Sequence, residues 1–344
     1  MKNQKIIYLI WGLISLFSCD KELTVDSSPR GDFDLFFEYL EQDYAYRDEY
    51  AFTMRELKQS YLAQIEASNT KSTLAAILLN IQENDLKDPH LYFHNYEIYN
   101  LAPQIGINER PDLETKTPFF DEINIRYDTP YYTSGTVSSN PSIGYLYIRN
   151  FNFSIGGSSS FDIDDGVKEI DDIIEDLIDM GIGSMIVDIR SSAGGSNYIP
   201  RYVAQRFIDK KATYMVEYYP EGDSFVKKEW TLKPKGTGFR SAKIALLSNG
   251  VTASGGEMLV LALLKRDHLI HIGSNSLGAS GNIVDKDLSN GWNFTMTNSR
   301  TEHPDGTQYF KVGITPSIIV KNNADFGVTH FNDKLIAMAI EELQ

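Results

Sequence analysis

Lys243-Ile244-Ala245-Leu246-Leu247-Ser248-Asn249-Gly250-Val251-Thr252-Ala253-Ser254-Gly255-Gly256-Glu257 decides how the rest of the chain is read. Ile244 to Leu247 is a short apolar run of the length and composition of a buried strand. A Ser-Asn-Gly turn follows, and small residues then lead into an apolar helix expected from about Ser254 to Leu264. Ser254 falls where the strand has ended and the helix begins. Its hydroxyl is exposed there beside the unpaired N–H groups of the first helical turn, which can stabilise an oxyanion. Gly255 and Gly256 allow a carbonyl group to approach the backbone closely. The same position also suits a plain helix N-cap, the commonest use of a serine there.

Outward from this stretch, the second half alternates strand and helix, the pattern of an α/β core. Strands are expected at Ile143–Ile148, Ser184–Arg190, 213–218, 226–232, His268–Ile272 and Trp292–Thr297. Helices are expected over Ile163–Leu177, Tyr198–Ile208 and Phe331–Leu343. The buried strand at 184–190 ends in a second glycine turn, Ser191-Ser192-Ala193-Gly194-Gly195-Ser196.

The first half is different. Phe33, Phe36, Phe37 and Leu40 recur at helical spacing, as do Leu57, Tyr61, Leu62 and Ile65, then Leu74, Ile77, Leu78 and Ile81. Three helices over residues 32–86 would form a small N-terminal bundle, ahead of a core at 87–344. Asp88-Pro89-His90 then turns into a strand in which His90 and His94 would share a face. No third ligand stands near these two histidines, so no metal site is read. Residues 98–141 are rich in Pro, Asn, Thr and Ser, with one strand expected at Glu122–Tyr127.

Lys2 and Lys5 precede an apolar run, Ile6 to Phe17, too short to span a bilayer. The run ends at Cys19, the chain's single cysteine. This looks like a bacterial lipoprotein signal (residues 1–18) with lipidation at Cys19 and a flexible tether at 19–31. It places the protein in the cell envelope, its only membrane contact the lipid anchor, with the side faced left open. A mature chain without further cysteines has neither a disulfide nor a thiol nucleophile. The net charge is −15, and loss of Lys2 and Lys5 takes it to −17, which argues against nucleic acid as a partner. Apolar content of 42% is ordinary for a globular protein. No Gly-x-x-x-x-Gly-Lys-[Ser/Thr], His-Glu-x-x-His or Gly-x-Ser-x-Gly segment occurs.

Taken together, Asp88-Pro89-His90, the 188–195 turn and the 249–257 stretch resemble the S41 family of serine peptidases, the C-terminal processing (tail-specific) and tricorn-core group. That family's Asp-Leu-Arg-x-Asn-x-Gly-Gly and Asn-x-x-Thr-Ala-Ser-x-x-Glu segments align with them. Asp305-Gly306-x-x-Tyr309-x-x-x-Gly313-Ile314-x-Pro316 fits as well. The resemblance implies an α/β fold with a crotonase-like ββα core behind a small helical N-terminal domain. No PDZ domain is expected, because 98–141 is short and lacks the binding loop. It further implies Ser254 as nucleophile, oxyanion donors at Gly255 and in the Gly194–Gly195 turn, a peptide or protein substrate, and no cofactor.

Where the processing-protease branch carries its lysine, this chain has Ala279, which excludes a Ser–Lys dyad at that position. The tricorn-like branch instead uses a histidine from an Asp-x-His turn, and His90 occupies it. The glutamate of that branch falls on Phe310, leaving Glu302 and Asp305 as the acids nearest in sequence to orient the base. Two readings stay open: a lipid-anchored serine peptidase using Ser254 and His90, or an inactive relative binding peptides or small apolar ligands in the old cleft.

Overall fold

The computed structural model describes residues 26–102, 104, 122–151, 163–320 and 333–344. The expected signal segment, Cys19 and most of the tether lie outside the described residues, as does most of 103–121. Among the described residues no helix is long and apolar enough to cross a membrane.

The chain opens with α1 (Pro29–Asp43), α2 (Met54–Ala67) and α3 (Lys71–Asn80), each started by a local side-chain cap. Ser28 Oγ accepts from Gly31 N–H, Thr53 and Glu56 cap each other, and Thr70 Oγ1 accepts from Thr73 N–H, so each helix start has one first-turn donor satisfied by its cap. A π-helical turn, Ile81–Leu86, ends at Lys87 in the left-handed region and delivers the chain to Asp88. Then come β1 (Tyr92–Phe93), α4 (Tyr96–Leu101), β2 (Ile123–Asp128), β3 (Tyr132–Val137), β4 (Asn140–Ile148) and α5 (Ile163–Asp179). Next are β5 (Ser184–Asp188), α6 (Tyr198–Phe207), β6 (Ala212–Glu221), β7 (Ser224–Leu232), β8 (Lys243–Ser248) and α7 (Gly255–Leu263). The chain finishes with β9 (Leu269–Gly273), β10 (Ile283–Asp287), β11 (Asn293–Thr297), β12 (Arg300–Glu302), β13 (Ile318–Ile319) and α8 (Lys334–Leu343).

Seven strands form the main sheet in the order β13-β9-β8-β5-β4-β3-β2. The pairings from β13 to β4 are parallel, and β3 and β2 add antiparallel strands at one end. Side chains alternate along each strand. Leu146, Val187 and Leu246 pack with α5, α6 and α7 on one face. Tyr145, Ile186 and Leu247 pack with α8 on the other. Parallel strands covered on both faces account for the continuous apolar runs at β5 and β8.

Three expectations need correction. The stretch 98–141 holds more than one strand: β3 is buried along its length despite its polar composition, because β2 and β4 flank it on both sides. Gly135 belongs there because a Cβ would lie 2.1 Å from Asn124 O. His90 and His94 do not share a strand face. Asp88 Oδ1 accepts from His90 N–H and Asp88 O from Leu91 N–H, so His90 sits in a turn and the strand is only two residues long. The closing helix starts at Lys334 rather than Phe331, with Asp333 as its N-cap.

The N-terminal helices do not bury their apolar faces by themselves. Phe36, Phe37, Leu40 and Leu78 share one core with Trp292, Phe294 and Met296 from around β11. The antiparallel sheet β1-β11-β10 lies against them, built from chain segments about two hundred residues apart. A third sheet, β12-β6-β7, stands beside α6 and α7.

Candidate active site

Ser254 occupies the junction of β8 and α7 with φ +49° and ψ −115°, a conformation that costs a non-glycine residue energy and is kept only where the surroundings fix it. Several contacts do so. Asn249 Oδ1 accepts from Ser191 N–H at 2.9 Å and from Val251 N–H at 3.1 Å. Thr252 Oγ1 donates to Ile189 O, and Ala253 N–H to Ser192 O. The two glycine turns seen in the sequence are thereby stitched into one unit, and Ser254 stands half-buried at its edge.

Gly194, at φ +96°, lies directly on the serine. A Cβ on it would be 2.6 Å from Ser254 Cβ and 2.7 Å from Gly255 N, distances that no alanine could take. Gly255 is tight as well, with Phe151, Pro200 and Ser196 O each 3.3 Å from where its Cβ would be. Phe151 N–H donates to Gly194 O, and Ser196 N–H donates to Phe151 O, which fixes the turn. Among the described residues the N–H groups of Gly194, Gly195 and Gly255 have no protein acceptor. Such donors beside a hydroxyl on a strained turn are what an acyl-transfer site requires.

Glu257, one turn along α7, is completely buried. Its carboxylate accepts from Ser276 Oγ, Gly278 N–H (2.8 Å), Ser280 Oγ (2.9 Å) and Ser254 N–H (3.3 Å). Burial pushes its pKa up, and these four donors pull against the rise. The 276–280 turn held in this way brings Ala279 O within 3.0 Å of Ser254 N–H. Ala279, the residue aligned with the processing-protease lysine, is therefore buried against the serine's own backbone.

His90 stands beside the end of β11. Its Nδ1 is 3.4 Å from Thr297 Oγ1, which donates to Asp88 Oδ2 at 2.7 Å. A hydroxyl committed to a carboxylate can only accept from the ring, which makes Nδ1 the protonated nitrogen in that contact and Nε2 the basic one. Thr297 also lies close to Gly281, and Tyr46 O–H donates to Ser280 O, so the end of β11 and the N-terminal helices both reach the 280–281 segment. His94 lies apart, with its Nε2 3.5 Å from Asp285.

The two acids named from sequence proximity have other partners. Glu302 is engaged by Gln308 and Arg300, and Asp305 by His303 and Thr307. Phe310 stacks on Tyr46 with ring centroids 3.6 Å apart. The acid that shares Thr297 with the histidine is Asp88, which the Asp88-Pro89-His90 turn already contained.

A second buried carboxylate, Glu217, carries no sequence signal. It accepts from Tyr219 O–H (2.6 Å), Trp230 Nε1, Asn282 Nδ2 (3.0 Å) and Ser299 Oγ (3.2 Å). Asn282 Oδ1 in turn accepts from Asn197 Nδ2, at the head of α6. Among the described residues no group of three or more His, Cys, Asp or Glu side chains could hold a metal ion.

A family model described as Peptidase family S41 matches residues 142–320. The carboxyl-terminal-processing peptidase 2 of Arabidopsis thaliana chloroplasts is 28% identical over 182 residues, 53% of this chain and 32% of that protein. The carboxy-terminal processing protease CtpA of Bacillus subtilis is 25% identical over 198 residues, 57% of this chain and 39% of that protein. The chain thus spans about a third of the length of the curated relatives it matches. Among solved structures, a candidate peptidase of Parabacteroides merdae superposes with a TM-score of 0.72 at 17% identity, covering 92% of this chain and 97% of that one. Mature CPAF complexed with lactacystin superposes at 0.62 with 10% identity, covering 85% and 93%. These likenesses establish the fold: a mixed α/β structure of the kind found in S41 proteases.

Proposed function

Because the chain belongs to peptidase family S41, we propose that it hydrolyses peptide bonds with Ser254 as nucleophile and His90 as general base. The observation that carries this reading is Gly194 lying on Ser254 while the serine sits at φ +49°. A plain N-cap needs neither the strain nor the glycine contact.

In the proposed reaction His90 Nε2 takes the proton as Ser254 Oγ attacks the scissile carbonyl carbon. The carbonyl oxygen becomes an oxyanion held by Gly255 N–H and an N–H of the Gly194–Gly195 turn. Collapse of the tetrahedral intermediate breaks the C–N bond, and the departing amine receives the proton from His90. Water then attacks the acyl-serine by the same path in reverse. Asp88, acting through Thr297, keeps Nδ1 protonated and the ring in place.

The deciding experiment is fluorophosphonate labelling of a soluble form, Asp20 to Gln344. Ser254→Ala abolishes labelling, and His90→Ala lowers its rate by at least about a hundredfold, the usual contribution of a general base. Folded wild-type protein that takes no label would favour the binding-protein alternative, for which Phe310 stacked on Tyr46 in place of a carboxylate is the supporting observation.

The proposal extends to the protein's address: cleavage before Cys19 and a lipid thioether on it would tether the enzyme to the cell envelope. Radiolabelled palmitate is then incorporated into the full-length protein and not into Cys19→Ala. Equal incorporation into both would remove the anchor.

A further inference from the structure

At the far end of the helix that Ser254 starts, three polar side chains stand in a row that the reaction above does not use. Lys265 follows α7 by two residues. Its Nζ lies 2.5 Å from Nε2 of His303, the residue after β12. His303 Nδ1 in turn lies 2.8 Å from Asp305 Oδ1. The nine residues of α7, about 14 Å of helix, separate Lys265 from Ser254. The row is therefore no part of the serine site.

What each group can donate fixes the direction of these contacts. A carboxylate only accepts, so His303 Nδ1 carries the ring proton and Nε2 presents its lone pair to the lysine. The Asp305 N–H, 3.4 Å from the same Nδ1, is that nitrogen's weaker neighbour. Thr307 O–H (2.7 Å) and Thr307 N–H (2.9 Å) both donate to Asp305. With His303 they hold its carboxyl well below the usual carboxylate range. A tight turn closes around the pair, with His303 N–H donating to Thr307 O and Gly306 N–H to His303 O. The imidazole is thus held in one tautomer and one orientation.

Lys210 and Lys227 rest on the carboxylates of Asp267 and Glu229. Lys265 instead rests on a ring nitrogen, and among the described residues no carboxylate is within ion-pair distance of its Nζ. Its side chain is half-buried. Burial lowers its pKa, and the charge of Asp305 works against the fall. An amine touching a basic nitrogen, with that base oriented by a carboxylate, has the three parts of an activated nucleophile. Lys311 shows burial without the base. Its pKa is also lowered by burial, but its Nζ meets Tyr50 Oη at 3.2 Å and the rings of Tyr50 and Phe310.

We propose that Lys265 is an acylation site whose amine takes the acyl group of an acyl phosphate, with His303 as its base and Asp305 orienting that base. In the resting structure the ammonium donates to Nε2. Transfer of that proton gives a neutral amine and an imidazolium paired with Asp305. The amine lone pair then forms the N–C bond, and the bond from the carbonyl carbon to the phosphate oxygen breaks. The second amine proton leaves with the phosphate, and His303 returns its own proton to water. The amide product removes one positive charge from a chain already at −15. This inference does not rest on the peptidase reading.

The measurement incubates the full-length protein with acetyl phosphate at neutral pH and follows acetylation of each lysine by peptide mass spectrometry. Lys265 reacts at least about tenfold faster than the exposed Lys233, a bound set below the usual contribution of a positioned base. His303→Gln keeps an oxygen that accepts from the amine but cannot take its proton. It brings Lys265 to within about twofold of Lys233. Asp305→Asn slows Lys265 by less. Imidazole added to His303→Ala restores part of the rate, which a merely structural histidine would not allow. The Lys233 rate, read in the same sample, reports whether each variant is still folded. Lys265 reacting no faster than Lys233, Lys311 matching it, or a fast rate that survives His303→Gln overturns the proposal. Fast acetylation of a protein that takes no fluorophosphonate keeps this site and removes the peptidase, and the opposite pair of results does the reverse.

Discussion

Two fully buried carboxylates flank the candidate site, and they are stabilised in opposite ways. Asp188 ends β5 beside the first glycine turn. Arg190 clamps it, Tyr145 O–H donates to it, and Arg190 reaches on to Asp333 at the head of α8. Burial by itself would lower the Arg190 pKa, but the two aspartates reverse that and raise it well above its ordinary value. Glu257, beside the second turn, has no cation, only two serine hydroxyls and two backbone N–H groups. The first network joins the sheet to a distant helix through charge, so its removal acts on stability. The second fixes the turn that fixes the serine through directional dipoles, so its removal acts on geometry.

The strongest way to break this comparison is Arg190→Met, which leaves two buried aspartates without a counter-charge. It destabilises the fold by about 4 kcal/mol, the usual cost of orphaning a buried pair, read from the midpoint of urea unfolding. A change below about 1 kcal/mol, the level of an exposed pair, would mean that the network contributes no more than a surface ion pair.

His271 offers a third case, a buried titratable group whose ring has, among the described residues, one side-chain hydrogen-bond partner, Ser248 Oγ at 2.7 Å. Burial lowers its pKa from 6.5 to about 4. Between those values the unfolded chain binds a proton that the folded chain refuses, so stability is complete above pH 6.5 and falls as pH drops toward 4. The loss is about 3 kcal/mol. Glu257, raised by burial, works the other way and loses stability as pH climbs above the ordinary carboxylate value. Subtracting the curve of His271→Asn from that of the wild type isolates the histidine, and a flat difference between pH 4 and 6.5 would contradict its burial as a neutral ring.

Glu257→Gln sharpens the contrast with the smallest change in stability. The amide keeps the shape but turns an N–H toward two donors, at least one of which is a backbone N–H that cannot rotate away. The expected cost is about 2 kcal/mol, with a loss of fluorophosphonate labelling larger than the stability change accounts for. Labelling that tracks stability alone would reduce Glu257 to an ordinary core group.

What could be read in the chain beforehand was local. The Ile244–Leu247 strand, the Ser-Asn-Gly turn and the small residues before α7 specify Ser254's place within a dozen positions, and caps such as Thr53 with Glu56 announce their helices. What escaped depends on partners far away in sequence. Tyr132–Val137 reads as loop because its Thr, Ser and Gly residues are polar, yet strands on both sides satisfy its backbone. Asp88 carries no sequence signal as a partner of the histidine's side chain, because the link between them runs through Thr297, 209 residues later. Glu217 has no periodic or motif signal, and only the fold brings Trp230 and Asn282 to it.

The shared core of the first helices and β11 has a consequence for how the molecule is made. Phe36 meets Phe294, so helices at the start of the chain cannot bury their apolar faces until synthesis has passed residue 296. Contacts of such separation fold slowly and leave early segments exposed meanwhile. Thr297, the neighbour of His90, ends that same strand. The step that completes the N-terminal core is therefore also the step that brings Thr297 to His90, and until the chain is nearly whole the serine turn would lack the base proposed for it.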